Sequence, residues 1–186
     1  MSPTPISDDL DKNLGDVFHI LGRLITELFE KDSLAKITSL QLTQQQLNML
    51  TLLDAAGLHT MTELCRLHNI SPPAATKNVD KLESLGLVKR HLTDGDRRLV
   101  RVEITAAGSQ LVYKYRNSYL EKVTEALSGF STEEKSDLLD EMEDFIRNGI
   151  AANPDAALIC LQCQGRFSDS CVLQEHFDRC LYARTE

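Results

Sequence analysis

The chain is predicted to fold as a mainly α-helical protein, broken once by a β-hairpin and followed by a small cysteine-rich module. Three observations carry this prediction. Apolar residues recur at three- and four-residue steps in several segments before residue 86 and again after 105. Ser or Thr stands three residues before Glu or Gln ahead of several of these runs, the signature of a capped helix start. Between 87 and 105 the pattern changes to short strands around a polar turn. Composition agrees: of 186 residues, 42% are hydrophobic but only 5% aromatic, with no Trp. That profile suits Leu-rich helical seams better than a β-sandwich.

In chain order, residues 1–8 hold two prolines and are expected to be a loose arm. From Asp9 to Lys36, Leu10, Leu14, Val17, Phe18, Leu21, Leu24, Ile25 and Leu28 mark an amphipathic helix. Thr43, with Gln46 three residues on, caps LNMLTLLDAAG, and Gly57 closes that helix. Thr60 and Glu63 open a short helix, MTELCRLHN. Ser71 caps the next one, with Pro72 at its first position, where a missing N–H costs nothing. That helix, PPAATKNVDKLESLG, stops at Gly86. LVKRHL and LVRVEIT read as two strands around TDGDRR. Thr105 begins a long helix to about Ser128, and Ser131 with Glu134 caps another to about Ile150. AANPDAA then divides a main domain, 1–152, from a C-terminal module, 153–186.

The net charge of −8 argues, as an average, against a nucleic-acid binder. The charge is unevenly placed, however. Residues 87–101 hold Lys89, Arg90, Arg97, Arg98 and Arg101 against Asp94 and Asp96, whereas 131–145 is strongly acidic. A basic strip on an acidic body can still bind DNA, because salt screens distant charge within about 10 Å. Two short helices joined by the turn HNIS (68–71) are a helix-turn-helix signal. In such a motif the second helix enters the major groove with its N-terminal residues at base edges. Small Ala74 and Ala75 permit close approach there, and Ser71, Thr76, Lys77 and Asn78 can donate to phosphates or bases. The hairpin becomes a wing, with Lys89 and Arg90 on its first strand and Arg97 and Arg98 near its tip. Arg inserted in a minor groove reads its width and potential.

The stretch LTQQQLNMLTLLDAAGLHTMTELCRLHNISPPAATKNVDKLESLGLVKRHLTDGDRRLVRVEITAAG resembles the MarR family of regulators. PAAT leading into LESLGLV, the wing tip DGDRR and the join VEITAAG carry the likeness, which spans roughly residues 10–150. The resemblance implies a winged helix-turn-helix with a DNA-binding lobe at about 40–105. It also implies a homodimer whose N- and C-terminal helices, about 9–36 and 105–150, interlock. The implied function is a ligand-, redox- or metal-responsive repressor on a pseudo-palindromic operator in double-stranded DNA, with a small-molecule effector. By the same resemblance Thr76, Lys77 and Asn78 lie on the recognition helix and Asp96, Arg97 and Arg98 on the wing, the Asp positioning an Arg. Lys77 stands where many members carry Arg, which favours a phosphate or monodentate contact over a bidentate guanine contact.

In the last module, Cys160 and Cys163 form C-x2-C, the spacing that presents two thiolates to one metal. His176 and Cys180 follow at finger-like spacing, one helical turn apart. The stretch is similar to a single ββα-like zinc finger with Cys as fourth ligand, in which Zn2+ supplies the folding free energy that so small a core lacks. The face that would read DNA holds two acids, Asp169 and Glu175, which repel phosphate, and two apolar groups, Cys171 and Val172, with no Arg or Gln for bases, so a structural or protein-contact role is expected. HFDRCL is also similar to the end of ubiquitin-binding fingers, a further hint of protein contact. Cys171 is left over by the zinc reading. It keeps open an iron–sulfur cluster on Cys160, Cys163, Cys171 and Cys180, or a thiol-based redox sensor.

No Gly-rich phosphate loop, nucleophile elbow or carboxylate pair beside a His is present, so no enzyme is expected. No basic-then-apolar leader or long apolar run is seen, and a cytoplasmic protein without a membrane partner is expected. A protein-interaction adaptor that has lost operator binding is the contrasting alternative.

Overall fold

The computed structural model describes residues 9–93, 96–152 and 171; of 92–93 and 96–99 it describes the backbone alone. Helix α1 (Asp9–Arg23) continues through a π-helical stretch (Leu24–Lys31) into α2 (Asp32–Ile37). The sequence predicted one uninterrupted α-helix here. The widened turns of LITELFEK carry no Pro or Gly that would announce them.

Next come α3 (Gln44–Ala56), β1 (His59–Thr60), α4 (Met61–His68), α5 (Pro72–Ser84), β2 (Val88–Thr93) and β3 (Asp96–Ile104). The chain then runs through α6 (Ala106–Ala126) and α7 (Thr132–Ala151). The three strands form an antiparallel sheet in the order β1-β3-β2. Val88 pairs with Ile104 and Arg90 with Val102, with an irregularity at Leu92/Thr93. The strand β1 was not expected. Two residues are too few to show a period, and His59 and Thr60 become a strand only because β3 passes beside them.

The caps form largely as predicted. Thr43 with Gln46, Thr60 with Glu63 and Ser131 with Glu134 make reciprocal capping boxes. Ser71 is the exception: it occupies the N-cap position but its hydroxyl makes no cap bond. Pro72 and Pro73 fill the first two helical positions and have no N–H to offer. Asn69, in the left-handed region at φ 49, ends α4 and turns the chain into α5.

Leu50, Leu53, Leu64, Val79, Leu82 and Val102 are fully buried, and α6 adds Val112 and Tyr115 to the same core. The lobe is therefore anchored on α6. Arg116 on α6 also meets Asp54 on α3 at 3.2 Å. The outer helices are different. Among the described residues α1 has none buried, and on α7 Ile150 is buried. Leu14, Val17 and Ile20 on α1 and Leu138, Leu139 and Phe145 on α7 are exposed. An apolar groove of about 780 Å³ runs between the two helices. Phe18 and Phe145, which both line it, stack with ring centroids 4.2 Å apart.

The predicted module at 153–186, with Cys160, Cys163, His176 and Cys180, lies outside the described residues except for Cys171, a half-buried free thiol. Among the described residues no group of three or more metal-ligating side chains occurs. None of the described helices is long and apolar enough to cross a membrane.

Candidate nucleic-acid interface

Helix α5 turns one face to the core and one outward. Ala75, Val79 and Leu82 are fully buried. Ser71, Pro73, Thr76 and Lys77 are exposed and Ala74 is half-buried. The i, i+3, i+4 spacing of the buried set leaves Thr76 and Lys77 side by side on the opposite surface. Of the sequence-predicted residues, Ser71, Thr76 and Lys77 therefore present side chains to solvent.

Asn78 does not share that exposure. It is 9% exposed, and both ends of its amide are engaged by α3. Gln46 Nε2 donates to Asn78 Oδ1, and Asn78 Nδ2 donates to Gln45 Oε1, each at 3.3 Å. The residue expected to reach DNA instead pins the recognition helix to the helix behind it. Buried amides must be satisfied, so this bridge specifies how α5 is rotated about its axis. Nothing in the sequence around Asn78 distinguishes the two roles, because the partner amides lie 32 and 33 positions away.

The wing strands bring together several charges. Lys89 Nζ lies 2.9 Å and His91 Nε2 2.7 Å from the same Glu103 oxygen. Hydrogen bonding from Lys89, then from His91, holds the Glu103 carboxyl below its ordinary value. Arg90 reaches across to α5, where its guanidinium meets Asp80 at 2.5 Å and also Glu83. Its backbone N–H donates to Glu83 Oε1 at 3.2 Å. Lys89 and Arg90 are thus already paired within the chain. Asp96, Arg97 and Arg98 are the first residues of β3, at the end of the hairpin, with Asp96 opposite Thr93. Their side chains fall outside the description. Sequence reasoning missed Asp80, Glu83, Gln45, Gln46 and Glu103. The one available signal was the three-residue spacing of Asp80 and Glu83, which puts two carboxylates on one side of α5.

The base of the wing is locked to α6. Thr105 Oγ1 donates to the Gly86 carbonyl at 2.7 Å, and Thr105 N–H donates to that of Leu87 at 3.0 Å. Gly86 itself sits at φ 70, where a Cβ would be strained.

At the end of α4, His68 is largely buried, and among the described residues its Nε2 has no hydrogen-bond partner. Burial, with a smaller contribution from nearby His59, pushes its pKa down from 6.5 to about 4. The folded ring is therefore neutral, while the unfolded ring takes a proton below about 6.5. Stability from this residue is present above pH 6.5 and is lost as pH falls toward 4, by at most about 3 kcal/mol. His68→Gln is expected to flatten the fall in melting temperature between pH 6.5 and 4.5. Equal slopes for both proteins in thermal melts would contradict that assignment.

The comparisons with known proteins agree with this geometry. Residues 40–99 match the sequence model of the MarR family. The chain is 30% identical over 109 residues to the HTH-type transcriptional regulator YdgJ of Bacillus subtilis, covering 59% of this chain and 66% of that one. It is 35% identical over 69 residues to the HTH-type transcriptional regulator PecS of Dickeya dadantii, covering 37% and 42%. The matched segment thus spans under two thirds of either relative. In structure it is similar to RV1404 of Mycobacterium tuberculosis, with a TM-score of 0.67 at 20% identity over 77% of this chain and 96% of that one. YusO of Bacillus subtilis follows, with a TM-score of 0.63 at 21% identity over 74% and 97%. These structural likenesses are to the fold. Residues 40–99 thus have a winged helix-turn-helix fold and match the MarR family model, and the curated relatives the chain resembles are HTH-type transcriptional regulators.

Proposed function

We propose that the chain acts as a homodimer on a pseudo-palindromic operator, each lobe placing α5 in a major groove and its wing beside the adjacent minor groove. The observation that carries this reading is the outward face of α5. Ser71, Thr76 and Lys77 are exposed on a helix whose other face is buried in the lobe core. The dimer is supported by the exposed apolar side chains of α1 and α7, among them Leu14, Val17, Leu139 and Phe145. Selection of duplexes from a random pool tests the reading. Enrichment of a two-fold symmetric sequence supports it, and failure to enrich any sequence contradicts it.

On the selected duplex, Thr76→Ala is expected to weaken binding about tenfold and relax preference at one position in each half-site, as loss of a base contact does. Lys77→Ala, Arg97→Ala and Arg98→Ala are expected to weaken all sequences alike. Each should lower the slope of log affinity against log salt by about 0.9, the signature of one lost phosphate contact. An unchanged slope in gel-shift titrations would remove that residue from the interface.

A small-molecule effector is part of the same proposal. The fold relative NadR, at a TM-score of 0.50 and 22% identity, is solved in complex with 4-hydroxyphenylacetate. In this chain a cavity of about 430 Å³ opens between α2 and the start of α3, lined among others by Leu34, Thr38, Gln41 and Gln44. It lies where the dimerisation helices meet the DNA-binding lobe, so an occupant would bias the spacing of two lobes that must sit about one DNA turn apart.

For the C-terminal module the reading remains a zinc site on Cys160, Cys163, His176 and Cys180, supported by the ligand spacing in the sequence. Metal analysis of protein purified without oxygen is expected to give about one zinc per chain, matching four tetrahedral ligands. Iron with sulfide would instead favour the cluster that includes Cys171, and the redox-sensing reading with it.

A further inference from the structure

We propose that Arg90 masks the charge of Asp80 and Glu83 on the recognition helix and does not itself contact a phosphate. The inference rests on the DNA-binding reading given above. Asp80 follows Lys77 by three residues and Thr76 by four, so it shares their exposed face. Its side chain is 58% exposed, and that of Glu83, one turn further along, is 39% exposed. A duplex docked on Thr76 and Lys77 brings its phosphates within one Debye length of both carboxylates, about 10 Å at 0.1 M salt. Two bare acids there would oppose binding.

Arg90 closes on both. Its Nη2 lies 2.5 Å from Asp80 Oδ1, its Nη1 meets Glu83 Oε2, and its backbone N–H donates to Glu83 Oε1 at 3.2 Å. The Arg90 side chain is 26% exposed, less than either carboxylate. Its fork is aimed at α5 and away from solvent. A planar guanidinium can hold two carboxylates at once, as a single ammonium point charge does not. Because Arg90 sits on β2 and its partners on α5, the same bonds tie the wing to the recognition helix. The acids thereby serve as internal anchors, and the one guanidinium offsets about half of their charge at the DNA surface.

The experiment is a salt titration of binding to a duplex selected from a random pool by the wild-type chain. Arg90→Gln is expected to weaken binding at least about tenfold at 0.1 M salt, because two uncompensated charges now face phosphates. The triple variant Arg90→Gln with Asp80→Asn and Glu83→Gln is expected to return to within about threefold of wild type and to keep the wild-type salt slope. A direct phosphate contact predicts otherwise: the triple variant stays weak and the slope falls by about 0.9. A strut acting only by tying wing to helix also predicts a weak triple variant, since all the ion pairs are gone. Either result overturns the proposal. If Arg90→Gln loses its helical circular-dichroism signal, Arg90→Met, which keeps the aliphatic stem, carries the same comparison. Failure of the wild-type chain to select any duplex is seen before a variant is made, and it removes the DNA-binding reading and this proposal together.

Discussion

Gly108→Ala is expected to destabilise the protein by about 2 kcal/mol or more, although replacing Gly by Ala inside a helix ordinarily stabilises by about 1 kcal/mol. Gly108 lies in the first turn of α6, where that helix meets Leu87, the residue before β2, and Ile104 at the end of β3. A Cβ there would fall inside van der Waals contact of the Leu87 carbonyl oxygen and 2.6 Å from Ile104 Cγ1. Ile104 can rotate, but Leu87 is backbone, and its oxygen already accepts from the Thr105 N–H. Overpacking of this kind costs about 1–3 kcal/mol and exceeds the propensity gain where the obstacle cannot move. In a chain of this size about 2 kcal/mol corresponds to a fall of roughly 4–8 °C in melting temperature. A melting temperature equal to or above wild type would show that α6 does not approach Leu87 this closely.

The second large effect concerns the dimer. Val17 is 58% exposed within one chain and lines the groove between α1 and α7. Val17→Glu removes little from the fold of a single chain and puts a charge in the middle of the surface assigned to the partner copy. Burying an unpaired carboxylate is costly enough that association is expected to fail. Analytical ultracentrifugation should show monomers at micromolar concentration with unchanged helix content. Binding to a symmetric duplex should fall by about a hundredfold or more, because linked half-sites gain that much from effective concentration. A variant that remained dimeric would place the interface elsewhere.

These two predictions differ in how visible their causes are in the sequence. The apolar periodicity of Leu14, Val17, Phe18 and Leu21 predicts a buried face on α1 directly, and the structure adds that no residue of α1 is buried among the described residues. The capping boxes at Thr43, Thr60 and Ser131 were equally legible, since both halves of each box lie three residues apart. The close approach at Gly108 was not, because the obstructing carbonyl is that of Leu87, in the turn before β2 and far from Gly108 in sequence. Asn78 and Arg90 fall in the same class. Residue type alone marks them as DNA contacts. Only the docking of α5 against α3 and β2 shows that their polar atoms are held within the chain. At the interface, local chemistry thus identified the exposed candidates Ser71, Thr76 and Lys77, and long-range geometry identified the residues that hold them in place. The proposed zinc ligands Cys160, Cys163, His176 and Cys180 rest on sequence spacing alone, since they lie outside the described residues.

The central claim is that two copies of this chain read one symmetric duplex through α5. Hydroxyl-radical footprinting on the selected duplex, with the mass of the complex measured in parallel, tests it most directly. The account predicts two chains per duplex and two symmetry-related protected tracts centred about one helical turn, roughly 10 base pairs, or a multiple of it apart. A single chain protecting one tract, or two chains protecting tracts out of phase with the helical repeat, would contradict it.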